Sequence, residues 1–355
     1  MMNKKPTPRE VVYQTLRFEQ PDVCPYYIWV DKDMVPPLAR HYGAEQFIGP
    51  SDGTRSFIGS YTVLKEVTAR AVTERGDRFM DEFGVVFRRG STLHVERPAL
   101  SEPSLKSYQF PDLTSDEHFE GIDAWLAANV DRFRIVQLGM LFFERTWFMR
   151  GMENILLDLH LHPGFVEELL EGLEGVCMKV IDRLLREYGD RIDAIGLSED
   201  YGTQTSLLIS PQQWRTFIKP HLARMCARIH DGGKLVYIHS CGHVMPIIPD
   251  LVEVGVNCLQ PIQPEAMDIF EIKRRFGRDL CLMGGISTQY TLCAGTVEDV
   301  LREVQDCLTH MAAGGGYVMA PAKPILPGVP LENAIALIDA FVSQSRGIRV
   351  EPIPA

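Results

Sequence analysis

The stretch KLVYIHSCGHVMPIIPDLVEVGVNCLQP, Lys234–Pro261, decides the fold. Its opening, KLVYIHS, is a short run of β-branched and aromatic residues, as a buried strand requires. After His239-Ser240-Cys241-Gly242 the apolar positions take helical spacing through VMPIIPDLVEVG, and Gly255 closes that segment. VNCLQP then reads as a second strand. Strand, helix and strand in so short a span form a βαβ unit, and such a crossover demands that the two strands be parallel.

The same alternation extends in both directions. Upstream lie strand FRIVQLG, helical periodicity through ERTWFMRGMENILLDLHL, and the amphipathic helix PGFVEELLEGLEGVCMKVIDRLLREYG, with Pro163 near its start and Gly189 after its end. Strand DAIGLSE and helix SPQQWRTFIKPHLARMCARIHDGG follow, the latter with Ser210 as cap and Pro211 in its first turn. Downstream come helix DIFEIKRRFG, strand DLCLMGG, helix TVEDVLREVQDCLTHMAAGG, strand YVMAP and the closing helix PLENAIALIDAFVSQSRG.

Residues 1–131 are less regular. TPREVVYQTLRF reads as a helix with Thr7 as N-cap and Pro8 first, CPYYIWV as a strand, and DKDMVPPLARHYG as a broken helix. GDRFMDEFGVVFRRGSTLHVERPAL alternates like a hairpin, turning near Arg89-Gly90-Ser91. Six strand–helix units over 132–355, with strands from the irregular part, come close to eight. The α/β class expected is therefore a single (β/α)8 TIM barrel spanning 1–355 with an irregular N-terminal segment. An open doubly wound sheet is disfavoured, because its Gly-x-Gly-x-x-Gly fingerprint is absent.

A formal net charge of −11 over 355 residues lacks the basic footprint of a nucleic-acid binder. No apolar run is long enough to span a membrane, and MMNKKPTPREVV has no apolar signal core, so a cytoplasmic location is expected. The eight cysteines include no CxxC pair, which argues for packed free thiols over a structural zinc knuckle.

Barrel enzymes place their chemistry at the C-terminal ends of the strands. That rule gathers Glu144, Glu199, Asp200, Gln204, His239, Cys241, Gln260, Gln263, Gln289 and Lys323 at one mouth. His239 and Cys241, two apart on a strand, share a side. Zinc suits an imidazole and a thiolate, but two ligands are too few, and the pair also reads as a packed histidine and a buried thiol. Glu199 and Asp200 suit a metal ligand, a general acid or base, or an electrostatic partner, and equally a helix cap. Glu144, Arg145 and Arg150 around Trp147 read as a substrate clamp or as polar residues beside a core aromatic. Gln263 has amide groups to offer a polar ligand. Lys323 offers a charge to an anion, or is a solvated loop lysine. Gly314-Gly315-Gly316 reads as a tight turn at the opposite face.

Several ordered motifs resemble the uroporphyrinogen decarboxylase superfamily: LSEDYGTQTSLLISPQQWRTFIKPHL, HSCGHVMPIIPDLVEVGVNCLQPIQP, FGRDLCLMGGISTQYTL and GGGYVMAPAKPILPGVPLENAIAL, with RTWFMRGMENILLDL before them. The resemblance runs from about Arg134 to Val342 and implies a (β/α)8 barrel. It also implies one of two chemistries. True decarboxylases are metal-free and carry an arginine-rich N-terminal signature, but PYYIWVDKDMVPPLARHYG has Asp31, Lys32 and Asp33 and no arginine before Arg40. Their second signature stands here as LGMLFFERTW, with Glu144 intruding.

The other branch transfers methyl groups and binds zinc through an H-x-C pair and a later cysteine in an A-P-G-C-G-like turn. HSCG carries those first two ligand roles to His239 and Cys241; the later turn reads Ala320-Pro321-Ala322-Lys323-Pro324, without cysteine. Glu199, Asp200, Cys258 and Cys281 remain as candidates to complete the shell.

The resemblance thus implies a zinc methyltransferase moving methyl between a corrinoid on a partner protein and a thiol or other small acceptor. Asp200, Glu199 and Glu144 would be catalytic; Gln204, Gln263, Arg150 and Lys323 would bind substrate. The alternatives are a metal-free decarboxylase of uroporphyrinogen type and a non-catalytic tetrapyrrole- or corrinoid-binding protein. A homodimer is the assembly left open.

Overall fold

The computed structural model describes residues 5–48, 54–57, 59–90 and 94–345. Seven parallel strands make one half-barrel sheet: β1 (Thr62–Val67), β2 (Phe133–Gly139), β3 (Ala194–Ser198), β4 (Leu235–His239), β5 (Cys258–Ile262), β6 (Cys281–Ile286) and β7 (Tyr317–Pro321). They lie side by side in chain order, each parallel to its neighbours. Every residue of β2, β3, β5, β6 and β7 is buried, the pattern of strands covered on both faces. The long helix Pro163–Tyr188 shows how the cover is made: Val166, Leu169, Leu170, Leu173, Val176 and Val180 form its buried stripe. Each such side chain contributes roughly 1.5–3 kcal/mol on burial.

The six strands expected from Phe133 onward all form, β2 over the whole of FRIVQLG. The expected barrel with an irregular N-terminal segment is met in part, as a seven-stranded half-barrel that is not fully closed by a ladder at its N-terminal side. Between β7 and β1 the chain around Tyr26 takes the eighth place without a continuous ladder. Tyr27 N–H donates to Met319 O (2.9 Å) and Met319 N–H to Pro25 O (2.9 Å), while Tyr61 N–H donates to Tyr26 O (2.8 Å) on the other side. Pro25 has no N–H to give, and the pairing reduces to isolated bridges, Tyr26 to Met319 on β7 and Val30 to Ile325 beyond its end. β1 itself escapes sequence inspection because Lys65 and Glu66 interrupt its apolar alternation.

The expected hairpin is part of a four-stranded antiparallel sheet over 71–75, 78–81, 86–88 and 94–97. Ser91, placed at its turn, lies outside the described residues. Two expected helices are interrupted. Gly151, with φ +88°, separates Phe143–Arg150 from Met152–Leu161. Pro220 cannot donate within its helix, and a π-turn at Trp214–Ile218 precedes the segment Lys219–Asp231. Among the described residues no helix is long and apolar enough to cross a membrane. All eight cysteines are free, and only Cys293 is exposed.

The loop after β6 hangs on two carboxylates. Ser287 Oγ donates to Glu265 (2.7 Å) and Ser287 N–H to Glu303 (3.2 Å). Burial lifts the Glu303 carboxyl to about 7, against an ordinary 4.5, and the Glu265 charge adds to the rise. Between those values the native state holds a proton that the unfolded chain has lost. Stability from this group is thus fully present below 4.5 and falls as pH climbs toward 7. Glu303→Gln should flatten that fall: in urea titrations across the window, the variant gains on the wild type as pH rises.

Candidate active site at the strand C-termini

A cavity of about 610 Å³ opens at the C-terminal ends of the parallel strands, within the size range of small-molecule sites. Its wall includes Tyr27, Trp29, Glu66, Gln137, His239 and Lys323. Strand register builds it in layers. Gly139, Ser198, His239 and Gln260 stand side by side across β2 to β5. Two residues earlier, Glu66, Gln137, Gly196 and Tyr237 form the next layer down.

In the upper layer His239 Nε2 lies 3.3 Å from Cys241 Sγ and 3.7 Å from Asp200 Oδ1. The ligand atoms of Asp200, His239 and Cys241 all fall within 4.8 Å of one another. Metal–ligand bonds of about 2.0–2.3 Å in a tetrahedron set ligand atoms roughly 3.3–3.6 Å apart, so this carboxylate, imidazole and thiol suit zinc in chemistry and in spacing. His239 Nδ1 faces Gln260 Oε1 at 2.5 Å. An amide oxygen only accepts, so Nδ1 carries a hydrogen, and Nε2, which faces Asp200 and Cys241, is the nitrogen that would bind a metal once its own proton is lost. Burial disfavours the His239 imidazolium, but the facing Cys241 sulfur and Asp200 carboxylate outweigh it and raise the ring to about 9. Groups that hold a proton there so firmly also favour a metal cation.

The loop carrying Cys241 is tied from three sides. Cys241 N–H donates to Asp200 Oδ1 (2.8 Å), Gly242 N–H to Gln263 Oε1 (3.1 Å), and Ser240 N–H to Gln260 O (2.7 Å). Gly242 has φ +81°, and a β-carbon there would come within 2.4 Å of Thr203 O, so only glycine lets the loop pass.

Other sequence-predicted residues fall into distinct places. Glu199 is buried and accepts the N–H groups of Phe142 (3.2 Å) and Glu144 (2.9 Å), capping the helix that begins at Phe143. Burial, then the Glu144 charge, pushes its carboxyl well above the ordinary range. Glu144 stands on that helix and is raised to about 8 by burial, with Asp200 adding and His239 opposing. Lys323 lines the cavity and its charge faces the Cys241 sulfur, Asp200 and Glu144. Gln263 holds the Gly242 backbone and has no place in the cavity wall.

Two of the expected substrate-binding residues stand outside the cavity wall. The Arg150 guanidinium is buried against Asp158 (2.7 Å) and the Ser101 carbonyl (2.8 Å). Gln204 is exposed on a turn closed by Thr203 N–H to Ser206 O. Cys258 and Cys281 pair with one another in register on β5 and β6, outside the cluster, which leaves Asp200 as the third ligand-type group. Sequence reasoning missed Glu66, Gln137, Tyr27 and Trp29. Gln137 alone left a signal, as the one uncharged polar residue in FRIVQLG.

Comparisons with known proteins bear on the family and the fold. The family model described as uroporphyrinogen decarboxylase (URO-D) matches residues 145–343. A methylcobamide:CoM methyltransferase MtaA of Methanosarcina barkeri is 32% identical over 133 residues, covering 38% of this chain and 37% of the relative. The MtaA of M. barkeri strain Fusaro is 30% identical over a stretch of the same length and coverage. The chain thus matches little more than a third of the length of these curated relatives. A solved structure, a methyltransferase from Methanosarcina mazei, superposes with a TM-score of 0.69 at 18% identity, covering 96% of this chain and 99% of the other.

Proposed function

This chain belongs to the uroporphyrinogen decarboxylase (URO-D) family, and within it we propose a zinc-dependent methyltransferase that moves methyl between a corrinoid on a partner protein and a thiol or other small acceptor. The convergence of Asp200, His239 and Cys241 carries this reading. The names of the matched relatives support methyl transfer. A polycarboxylate substrate is poorly served, since no arginine lines the cavity among the described residues.

Zinc held by Asp200, His239 and Cys241 would act as a Lewis acid that favours the thiolate form of an acceptor near neutral pH. The chain's own residues do the rest. Gln260 fixes the His239 ring, and Asp200 steadies the Cys241 backbone. The Lys323 ammonium, beside Cys241, balances the negative charge gathered there. Glu144, whose carboxyl burial raises to about 8, stands beside Asp200 and His239 as the candidate acid–base group. We read the chain, 1–355, as one (β/α)8 barrel domain whose eighth place is taken by the segment around Tyr26. Eight free cysteines suit a cytoplasmic, reducing environment.

The test is elemental analysis of protein purified without chelator, followed by anaerobic assay with a methylated cobamide and small thiols. About one zinc per chain and methylated thiol are expected. Absence of zinc that cannot be restored would sink the proposal, and carbon dioxide release from uroporphyrinogen would favour the decarboxylase.

A further inference from the structure

We propose that the substrate of this site carries a protonated amine, received by Glu66 and Gln137 one layer below His239. The proposal deepens the methyltransferase reading and rests on it for the identity of the reacting thiol.

The lower layer offers Glu66 and Gln137 as acceptors, with the Tyr237 phenol beside them. Gln137 Nε2 donates to Glu66 Oε1 at 2.8 Å, which turns Gln137 Oε1 the other way. That oxygen is buried and has no hydrogen-bond partner, and Gln137 is only 4% exposed and lines the cavity. An orphaned buried acceptor is costly, so it asks for an N–H or O–H from a bound molecule. Beside it the Glu66 side chain is exposed to the cavity and makes no ion pair among the described residues, the His239 ring being the cation that faces it. Burial lifts this carboxyl above its ordinary range, and a bound cation would oppose that rise.

Two lysines also line the cavity: Lys323 faces the Cys241, Asp200 and Glu144 side chains, and the Lys65 ammonium lies 4.0 Å from where a β-carbon on Gly121 would stand. Tyr27, Trp29 and Tyr237 supply aromatic walls, the first two with ring centroids 5.8 Å apart. Such faces attract a cation and repel an anion. Gly196 keeps the floor open, since a β-carbon there would press on Gln137 and Tyr237 at 3.1 Å.

The layers are two strand residues apart, about 7 Å. A short aminothiol can place sulfur near His239 and Cys241 and nitrogen near Glu66. A carboxylate, an unpaired acceptor and aromatic faces together select a small ammonium with an N–H to give. A sulfonate or carboxylate in that place would meet Glu66 with like charge.

Calorimetry on the zinc-loaded protein should compare cysteamine with mercaptoethanesulfonate, thiols of equal chain length and opposite charge. Cysteamine is expected to bind roughly tenfold or more tightly than the sulfonate. Glu66→Gln should erase that preference. Gln137→Met, a second variant against a folding failure of the first, should weaken cysteamine alone. Propylammonium, which has no thiol, should bind metal-stripped protein with the same dependence on Glu66. Equal or tighter binding of the sulfonate, or a preference that survives Glu66→Gln, would overturn the proposal. If Glu66-dependent ammonium binding persists but no thiol is ever methylated, the methyltransferase reading fails and the ammonium subsite stands.

Discussion

Cys241→Ser and His239→Ala are each expected to strip zinc from the protein and to lower methyl transfer by at least about a hundredfold, more than the tenfold to hundredfold typical of outer-shell changes. Each removes one of three ligand-type atoms that converge within 4.8 Å, and an oxygen in place of sulfur makes a harder, weaker ligand. Gln260→Leu is the graded comparison. It leaves all three atoms in place but frees the His239 ring, whose Nδ1 now faces Gln260 Oε1. Its loss should be smaller, within the outer-shell range. Zinc content by elemental analysis, zinc competition with a chromogenic chelator, and methyl transfer rates check all three variants. Full zinc retention in Cys241→Ser would remove that thiol from the site.

The largest expected loss of stability comes from Asp81→Ala, at about 3–5 kcal/mol. Asp81 and Arg145 are an ion pair at 2.6 Å, only 3% and 2% exposed. Asp81 also accepts the Phe83 and Val85 N–H groups, at 3.1 and 3.0 Å. Burial disfavours charge on both partners, and each opposes that effect on the other. Pairing there compensates the loss of water without adding much net stability, yet removing one partner leaves a buried charge with little to face. The remaining contacts of Arg145 would be the Met140 carbonyl at 3.0 Å and the faces of Phe83 and Phe148. Arg145 sits on the helix that Glu199 caps and that carries Glu144, so the loss should loosen one side of the cavity as well. Urea denaturation of Asp81→Ala and of Asp81→Asn would measure it, the amide keeping part of the hydrogen bonding and losing less.

Much of the scaffold was legible because βαβ repetition is a local signal. Six strands and the helices between them follow from periodicity, caps, prolines and glycines within each segment. β1 was not legible, and the strand read at CPYYIWV could not be assigned to the eighth place, for a related reason. Glu66 in β1 points into a polar cavity, which spoils the apolar alternation that marks a buried strand, and the segment at Tyr26 holds its place through partners on β7 and near Tyr61. The interruptions at Gly151 and before Pro220 show the limit of periodicity, since the apolar spacing continues across each break.

The sequence by itself determined the parallel α/β scaffold, its family resemblance, and His239 and Cys241 at a strand end. It did so because each rests on residues near one another in the chain. Only the tertiary structure decided what those residues meet. Asp200 joins them across β3 and β4, Glu199 turns to the helix end at Phe142, and Arg150 is paired with Asp158. Glu66 meets Gln137 across a gap of 71 residues. Such contacts are set by strand register and by which donors burial leaves without water, and neither is written into the spacing of residues along one strand.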